Sequence, residues 1–128
     1  MKKQLESRLI KLALSIEALS KSLLKSYLSA HLSTQIIRSS TSAALNYAEA
    51  QSAESKKDFI HKTTLVLKEL RETKVCLKLL NNSVKKTNNK TFMDCYNECD
   101  QLIAIIYKTI QSTRKNMLEN QNKRRNTT

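Results

Sequence analysis

The sequence predicts an all-α fold, an antiparallel up-down-up-down four-helix bundle. Apolar residues recur three or four positions apart in four long segments, the spacing that keeps one face of a helix apolar. The 128 residues include no glycine and no proline, and tight hairpins and glycine-rich phosphate loops depend on those residues. Short links place consecutive helices antiparallel. We expect one bundle domain, residues 1–119, and a mobile basic tail, residues 120–128.

Helix one is predicted from about Lys3 to Tyr27. Its apolar stripe runs through Leu5, Leu9, Leu12, Ile16, Leu19 and Leu23. Helix two is predicted from about Ser29 to Gln51, and Arg38 and Glu49 are its only charged residues among serine, threonine and alanine. Small side chains let helix backbones approach closely. We therefore expect helix two to be a largely buried central helix whose polar groups are satisfied internally.

Helix three is predicted to begin after Ser55, or a turn earlier at Ser52. A serine followed three positions later by Asp58 and then by an apolar stripe is typical of a helix N-terminus. The stripe starts at Phe59 and continues to about Leu80.

Residues 81–90 have the composition of a loop, rich in asparagine, serine, threonine and lysine and without an acidic residue. Thr91 followed by Asp94 repeats the capping pattern, so helix four is predicted to start there. Its apolar stripe ends near Leu118.

One recognisable sequence pattern extends across helices two and three. It consists of Arg38, Ser42, Asn46, Ala48 and Glu49, then Ser55, Lys57, Asp58, Phe59, Ile60 and Glu72. This pattern resembles the bacterial four-helix-bundle family first noticed as reading frames inside intervening sequences of 23S ribosomal RNA genes. Together with the helical spacing, the resemblance covers about residues 5–118.

The resemblance implies a homo-oligomer, with a homopentameric ring as the expected assembly, and supplies no catalytic residue. More distantly, the chain is similar to the accessory protein of diversity-generating retroelements, which binds nucleic acid. The family usually has glycine where this chain has Ala50 and Ser52. We therefore expect helix two to run on further, or its turn to use an Asx-type or serine-type cap.

The polar residues of helix two allow two interpretations. Asn46 and Glu49 lie on one side of the helix, with Arg38 two turns earlier. We favour a charge-paired hydrogen-bond network that fixes helix packing or subunit register, over a ligand site. Glu49 is expected to pair with a basic residue of helix three or of a neighbouring subunit.

The three cysteines offer a weak metal signal. Cys95 and Cys99 are one helical turn apart, a spacing that can present two thiolates to one metal. Two further ligands are not evident, because His31 and His61 are far apart in sequence and only Cys76 remains. We expect reduced thiols that fill the bundle, with no metal and no cofactor. The chain also has none of the spacings typical of hydrolases or metalloproteases, so we expect no enzymatic activity.

The excess of positive charge is the strongest functional signal. The chain has 23 basic and 11 acidic residues, a net charge of +12, so five copies would carry +60. Nucleic acid would relieve that repulsion, with contacts mainly to phosphates and little sequence selectivity. The candidate contacts are Lys2, Lys3, Arg8, Lys11, Lys85, Lys86, Lys90, Arg114, Lys115, Lys123, Arg124 and Arg125. We expect them on the outer face and at both ends of the bundle.

Two alternatives remain open. The lysine-rich surface could serve only to keep the protein in solution, and the protein could be a scaffold that recruits a protein partner. A membrane role is not expected, because the apolar stripes are needed for the core and no apolar run approaches the roughly 18 residues that cross a bilayer. Reduced thiols and the lack of a signal-peptide pattern predict a cytoplasmic protein.

Overall fold

The computed structural model describes residues 2–83 and 89–127. Four helices follow one another along the chain: α1 (Lys2–Lys21), α2 (Tyr27–Gln51), α3 (Lys56–Ser83) and α4 (Asn89–Thr127). Consecutive helices pack together, and α4 returns to pack on α1, which closes the bundle. The described residues form no β-strand. The predicted all-α four-helix bundle is confirmed.

A single hydrophobic core runs along the inside of the bundle and takes side chains from all four helices. The predicted apolar stripes supply it. Its fully buried aliphatic residues include Leu9, Ile16, Ile36, Leu70, Leu77, Leu102 and Ile106. Each such side chain contributes about 1.5–3 kcal/mol to folding through its removal from water. None of the described helices combines the length and apolarity needed to span a membrane.

The α1–α2 connection begins earlier than the sequence predicts. α1 ends at Lys21, where the Ser22 hydroxyl donates to the carbonyl of Leu19 at 2.7 Å. Ser26 then caps α2: its hydroxyl accepts from the Ser29 amide at 3.0 Å, and the Ser29 hydroxyl accepts from the Ser26 amide at 2.9 Å. This reciprocal serine pair is a capping box. The apolar pattern continues through the turn, so periodicity alone extended helix one to Tyr27.

The α2–α3 connection needs no glycine. α2 ends at Gln51 as predicted, and Ser52 follows with φ −102° and ψ 14°, a right-handed conformation open to any residue. The Ser55 hydroxyl accepts from the Asp58 amide at 3.0 Å, which confirms the predicted cap of α3. Serine capping therefore replaces the glycine turn of the family pattern. Of the two expectations, a longer helix two or an Asx-type or serine-type cap, the structure has the serine-type cap.

The helices on both sides extend into the predicted loop of residues 81–90. α3 continues to Ser83 and α4 already begins at Asn89, so Thr91 lies inside α4 and the predicted cap there is wrong. Asn82 remains helical while its side-chain amide donates to the carbonyl of Lys78 at 3.0 Å. Residues 84–88, which include the candidate contacts Lys85 and Lys86, lie outside the described residues.

The end of α4 is the largest difference from the sequence prediction. The helix does not end near Leu118 but continues to Thr127, with a length of about 58 Å against about 30 Å for α1. Its last buried residue is Ile110, and residues 118–126 are exposed. The end is rich in asparagine, glutamine, lysine and arginine without glycine or proline, and cations at a helix C-terminus complement the helix dipole.

Candidate nucleic-acid interface

Three elements bring exposed cations to one end of the bundle. The start of α3 faces the end of α4, where Lys56 and Lys57 share a groove of about 340 Å³ with Gln121 and Arg124. The start of α1 reaches the same end, because Leu5 lines a cavity together with Phe59 of the first turn of α3. We call this region the basic end. Its exposed cations are Lys3, Lys56, Lys57, Arg114, Lys115, Lys123, Arg124 and Arg125.

The final part of α4 carries most of this charge. Residues 111–127 include five basic residues and one acidic residue, Glu119. Because the segment is helical and exposed, these cations project from the bundle on a defined scaffold. The sequence identified the charge of this segment correctly but not its helical structure.

Lys56 and Lys57 were missed as candidate contacts. Their sequence context, Ser55-Lys56-Lys57-Asp58, indicates only the start of a helix. The end of α4 lies beside them because the helix continues past residue 118, which sequence reasoning did not predict. Lys2, a predicted contact, is the first residue of α1, and its side chain lies outside the described part of the structure.

Arg8 is engaged in an ion pair rather than presented to solvent. Its Nε and Nη2 atoms donate to the two carboxylate oxygens of Glu98 at 3.0 and 2.6 Å, and Nη2 also donates to Gln101 Oε1 at 3.1 Å. The hydrogen bond to Glu98 raises the pKa of the guanidinium, against the opposing effect of burial. This fork joins α1 to α4, so the first role of Arg8 is to hold the bundle together.

Lys11 and Lys90 are also surrounded by acidic groups. Lys11 lines a hollow of about 420 Å³ with Asp94 and Glu98. The Lys90 ammonium lies 2.8 Å from the Asp94 carboxylate, and this hydrogen bond raises the pKa of Lys90. Of the predicted contacts on described residues, Arg8 and Lys90 thus form ion pairs with carboxylates of α4.

The polar residues of α2 do not form one network. Arg38 reaches α3, where Nη1 donates to Glu69 Oε2 at 3.0 Å and Nη2 contacts the Glu72 carboxylate, and the hydrogen bond to Glu72 raises the Arg38 pKa. Glu49 pairs with Lys62 of α3 at 3.1 Å, as expected. These two links are about three turns apart along α2.

Asn46 lies between these links and joins neither. Its side-chain nitrogen donates to the carbonyl of Ser42 in its own helix, at 2.9 Å. Within one chain, Arg38, Asn46 and Glu49 therefore do not form a single network, because Arg38 and Glu49 each pair with α3 and Asn46 bonds within α2. A role of these residues in subunit register stays a prediction. The two ion pairs still tie α2 to α3.

The cysteines are buried thiols. Burial raises the pKa of Cys95 to about 11 and that of Cys99 to about 12, so both are protonated at neutral pH. The Cys99 thiol donates to the carbonyl of Leu70 at 3.3 Å. Cys76 is also buried and free, with a pKa raised by the same cause. Within residues 2–83 and 89–127, no three potential metal ligands of the His, Cys, Asp or Glu type lie together.

The fold and its charged end define a four-helix-bundle protein with a basic surface at one end. The family model described as "23S rRNA-intervening sequence protein" matches residues 3–108, and the chain belongs to this family. The matched part ends before the projecting segment of α4. No curated protein sequence matches the chain significantly.

Solved structures also match the chain. One is a protein of unknown function from the S23 ribosomal protein family of Bacteroides thetaiotaomicron VPI-5482. It is 28% identical, the alignment covers 87% of this chain and 99% of that chain, and the TM-score is 0.72. The two proteins therefore share the four-helix fold over nearly the whole of the solved chain.

Proposed function

We propose that the protein is a non-enzymatic homo-oligomer that binds RNA or DNA electrostatically, with little sequence selectivity, through the basic end. The observation that carries this proposal is the convergence of exposed cations from α1, α3 and α4 on one end of the bundle. A cytoplasmic location is part of the proposal, since protonated buried thiols suit a reducing compartment.

The chemistry of the basic end favours phosphates over base edges. Lysine and arginine neutralise phosphates and release condensed counterions, which gives affinity without reading sequence. The cations lie on helices rather than on a chain without defined structure, so their spacing is set before the nucleic acid arrives. Phosphate contacts from three helices would also fix the orientation of the strand at the end of the bundle.

A salt-dependent titration tests this proposal. Labelled single-stranded and double-stranded RNA and DNA are titrated with the protein at about 50 and 200 mM salt, and the oligomer mass is measured in the same samples. A protein that neutralises six to ten phosphates loses about 10³–10⁵ in affinity over this range, so we expect a fall of at least a hundredfold. Absence of binding at 50 mM salt would refute the proposal.

The outer surface of α2 supports the homo-oligomer part of the proposal. We define the outer α2 face as the exposed or half-buried residues Thr34, Thr41, Leu45 and Ala48. Arg38 and Glu49 lie beside these residues on the exposed side of α2, but both are paired with oppositely charged residues of α3, and Leu45 is 67% exposed. Like-charged copies associate most readily through a face whose charges are already paired. The five-fold ring implied by the family resemblance is proposed to form through this face.

A scaffold role is the second candidate. Val75 and Leu79, one turn apart on α3, are 53% and 46% exposed and lie away from the basic end. Adjacent exposed apolar side chains favour contact with a protein partner. Binding of a protein in place of nucleic acid would be the outcome if the titration finds no affinity for RNA or DNA.

A further inference from the structure

A cavity of about 490 Å³ lies among the four helices near the basic end. Its apolar lining comes from Leu5 of α1, Phe59 of α3 and Ile105 of α4. Gln4, Arg8, Tyr47, Gln51 and Thr109 supply the polar part of the wall. Its size falls within the range of about 300–1,000 Å³ that small-ligand pockets occupy.

One polar group in this cavity lacks a partner. The side-chain nitrogen of Gln51 is buried and makes no hydrogen bond. Burial raises the pKa of the neighbouring Tyr47, and Gln51 opposes this rise. The Thr109 hydroxyl already donates to the carbonyl of Ile105 at 2.9 Å. A molecule that brings a hydrogen-bond acceptor into the cavity would therefore gain a hydrogen bond once the Gln51 side chain turns its nitrogen toward it.

A cation lies beside the cavity on either side. A shallow hollow lined by Lys3 shares Gln4 and Arg8 with the cavity wall. A second hollow, at the α2–α3 turn, contains Lys56 and shares Gln51 and Phe59 with it. The cavity thus adjoins two hollows that each contain a lysine, and Glu54 is the one acidic residue among their linings.

We propose that this cavity takes one unstacked base of a single-stranded nucleic acid, with the adjacent phosphates at Lys3 and Lys56. The inference rests on the proposed function and adds a pocket to it. A base is flat, has apolar faces that stack on an aromatic ring such as Phe59, and carries acceptors on its edge for Gln51. The bases of a duplex are paired and stacked, so they cannot enter without being flipped out.

The contribution of the base to the binding affinity can be measured separately from that of the phosphates. Three ligands of equal length are compared at one salt concentration: a mixed-sequence single strand, the same backbone made of abasic nucleotides, and a duplex. Stacking of one base is worth about a fivefold to hundredfold gain in affinity. We expect the wild-type protein to bind the single strand about tenfold more tightly than the abasic strand.

Thr109→Phe fills the cavity and should abolish this difference while leaving the affinities for abasic strand and duplex unchanged. Thr64→Phe is the matched control, because Thr64 is exposed on α3 and its hydroxyl donates to the carbonyl four residues earlier, as that of Thr109 does. The control should keep the wild-type preference. Circular dichroism establishes that each variant is folded.

Gln51→Leu decides the question if Thr109→Phe does not fold. Loss of the single-strand preference in Gln51→Leu supports the pocket, and retention of the full preference overturns it. Equal wild-type affinity for the single strand and the abasic strand overturns the pocket but leaves the proposed electrostatic binding intact. Failure of all three ligands to bind at 50 mM salt overturns both.

Discussion

The Ser39 hydroxyl of α2 and the Thr73 hydroxyl of α3 lie 2.7 Å apart in the core, and both residues are fully buried. Each hydroxyl has a single proton to donate. Thr73 donates to the Glu69 carbonyl at 2.9 Å, and Ser39 then donates to the Thr73 oxygen rather than to the Ile36 carbonyl, which is 3.3 Å away. Both hydroxyls are thus satisfied without water. This pair explains how a helix rich in serine and threonine can face an apolar core.

The Ser39–Thr73 contact should appear as a coupling in a double-mutant cycle. Ser39→Ala and Thr73→Val each remove one hydroxyl and should each lower the free energy of unfolding by about 1–2 kcal/mol. The double variant should lose less than the sum, by about 0.5–1.5 kcal/mol. Urea denaturation measures these values. Thr64→Val, on the exposed face of α3, should change stability by less than about 0.5 kcal/mol, and strict additivity in the cycle would contradict the coupling.

The Arg38 links to Glu69 and Glu72 should give a small, salt-sensitive stabilisation. Arg38 is 46% exposed, so solvent screens the pairs, and we expect Arg38→Met to cost less than about 1 kcal/mol. The cost should shrink in 1 M NaCl, where the Debye length is about 3 Å. Thermal denaturation at low and high salt measures both. A cost that is independent of salt would assign the role of Arg38 to packing of its aliphatic chain.

Alkaline pH should destabilise the protein through its buried thiols. Because burial raises the Cys99 pKa from 9.0 to about 12, the unfolded chain loses this proton before the folded one as the pH rises. The contribution of the Cys99 thiol to the free energy of unfolding is complete below pH 9. It falls between pH 9 and 12, by up to about 1.4 kcal/mol per pH unit.

Cys99→Ala isolates this effect from the titration of other groups. It should be less stable than the wild type at pH 7, because it leaves space in the core. Its unfolding free energy should then fall less steeply than that of the wild type between pH 9 and 10.5. Urea denaturation across this range measures the slopes, and parallel curves would show that Cys99 does not titrate as its burial predicts.

Removal of charge from the end of α4 should weaken nucleic-acid binding. The triple variant Lys123→Gln, Arg124→Gln, Arg125→Gln should keep its helical circular dichroism but bind less tightly, with a salt dependence reduced by about two to three phosphate equivalents. Lys90→Gln is the control at the opposite end of α4, where Asp94 already neutralises the lysine. It should change affinity by less than about twofold. Equal losses in both variants would mean that binding has no preferred end.

A charge on the outer α2 face should dissociate the proposed oligomer. Leu45→Lys places a cation on a 67% exposed apolar position, which would be buried between copies. We expect monomers in analytical ultracentrifugation, with an unchanged melting temperature for the isolated bundle. Val75→Lys makes the same type of change on α3 and should leave the oligomer intact. An unaltered mass for Leu45→Lys would exclude this face as the interface.

The bundle was predictable because its information is local and periodic. Apolar stripes located the four helices, and the Ser55 cap fixed the start of α3. The Ser26–Ser29 box was hidden because apolar residues continue on both sides of it.

Long-range pairing was not predictable in the same way. Which acid neutralises Arg8 depends on Glu98, 90 residues away, and only the folded bundle brings the two together. For the same reason, sequence analysis overestimated the number of cations available for nucleic acid. It also missed Lys56 and Lys57, which lie beside the end of α4 only in the folded bundle.

The length of α4 couples helix formation to the anions around the protein. The part of α4 beyond Leu118 is too short to be a stable helix alone, because the first turn of a helix is costly to form, but here the bundle provides that nucleus and the end of α4 only propagates it. The helix dipole favours cations at this end, whereas neighbouring cations repel one another. Anions relieve only the repulsion, so negative charge bound there would stabilise the helix further. Under the proposed function, the stability of the end of α4 would therefore rise with polyanion occupancy.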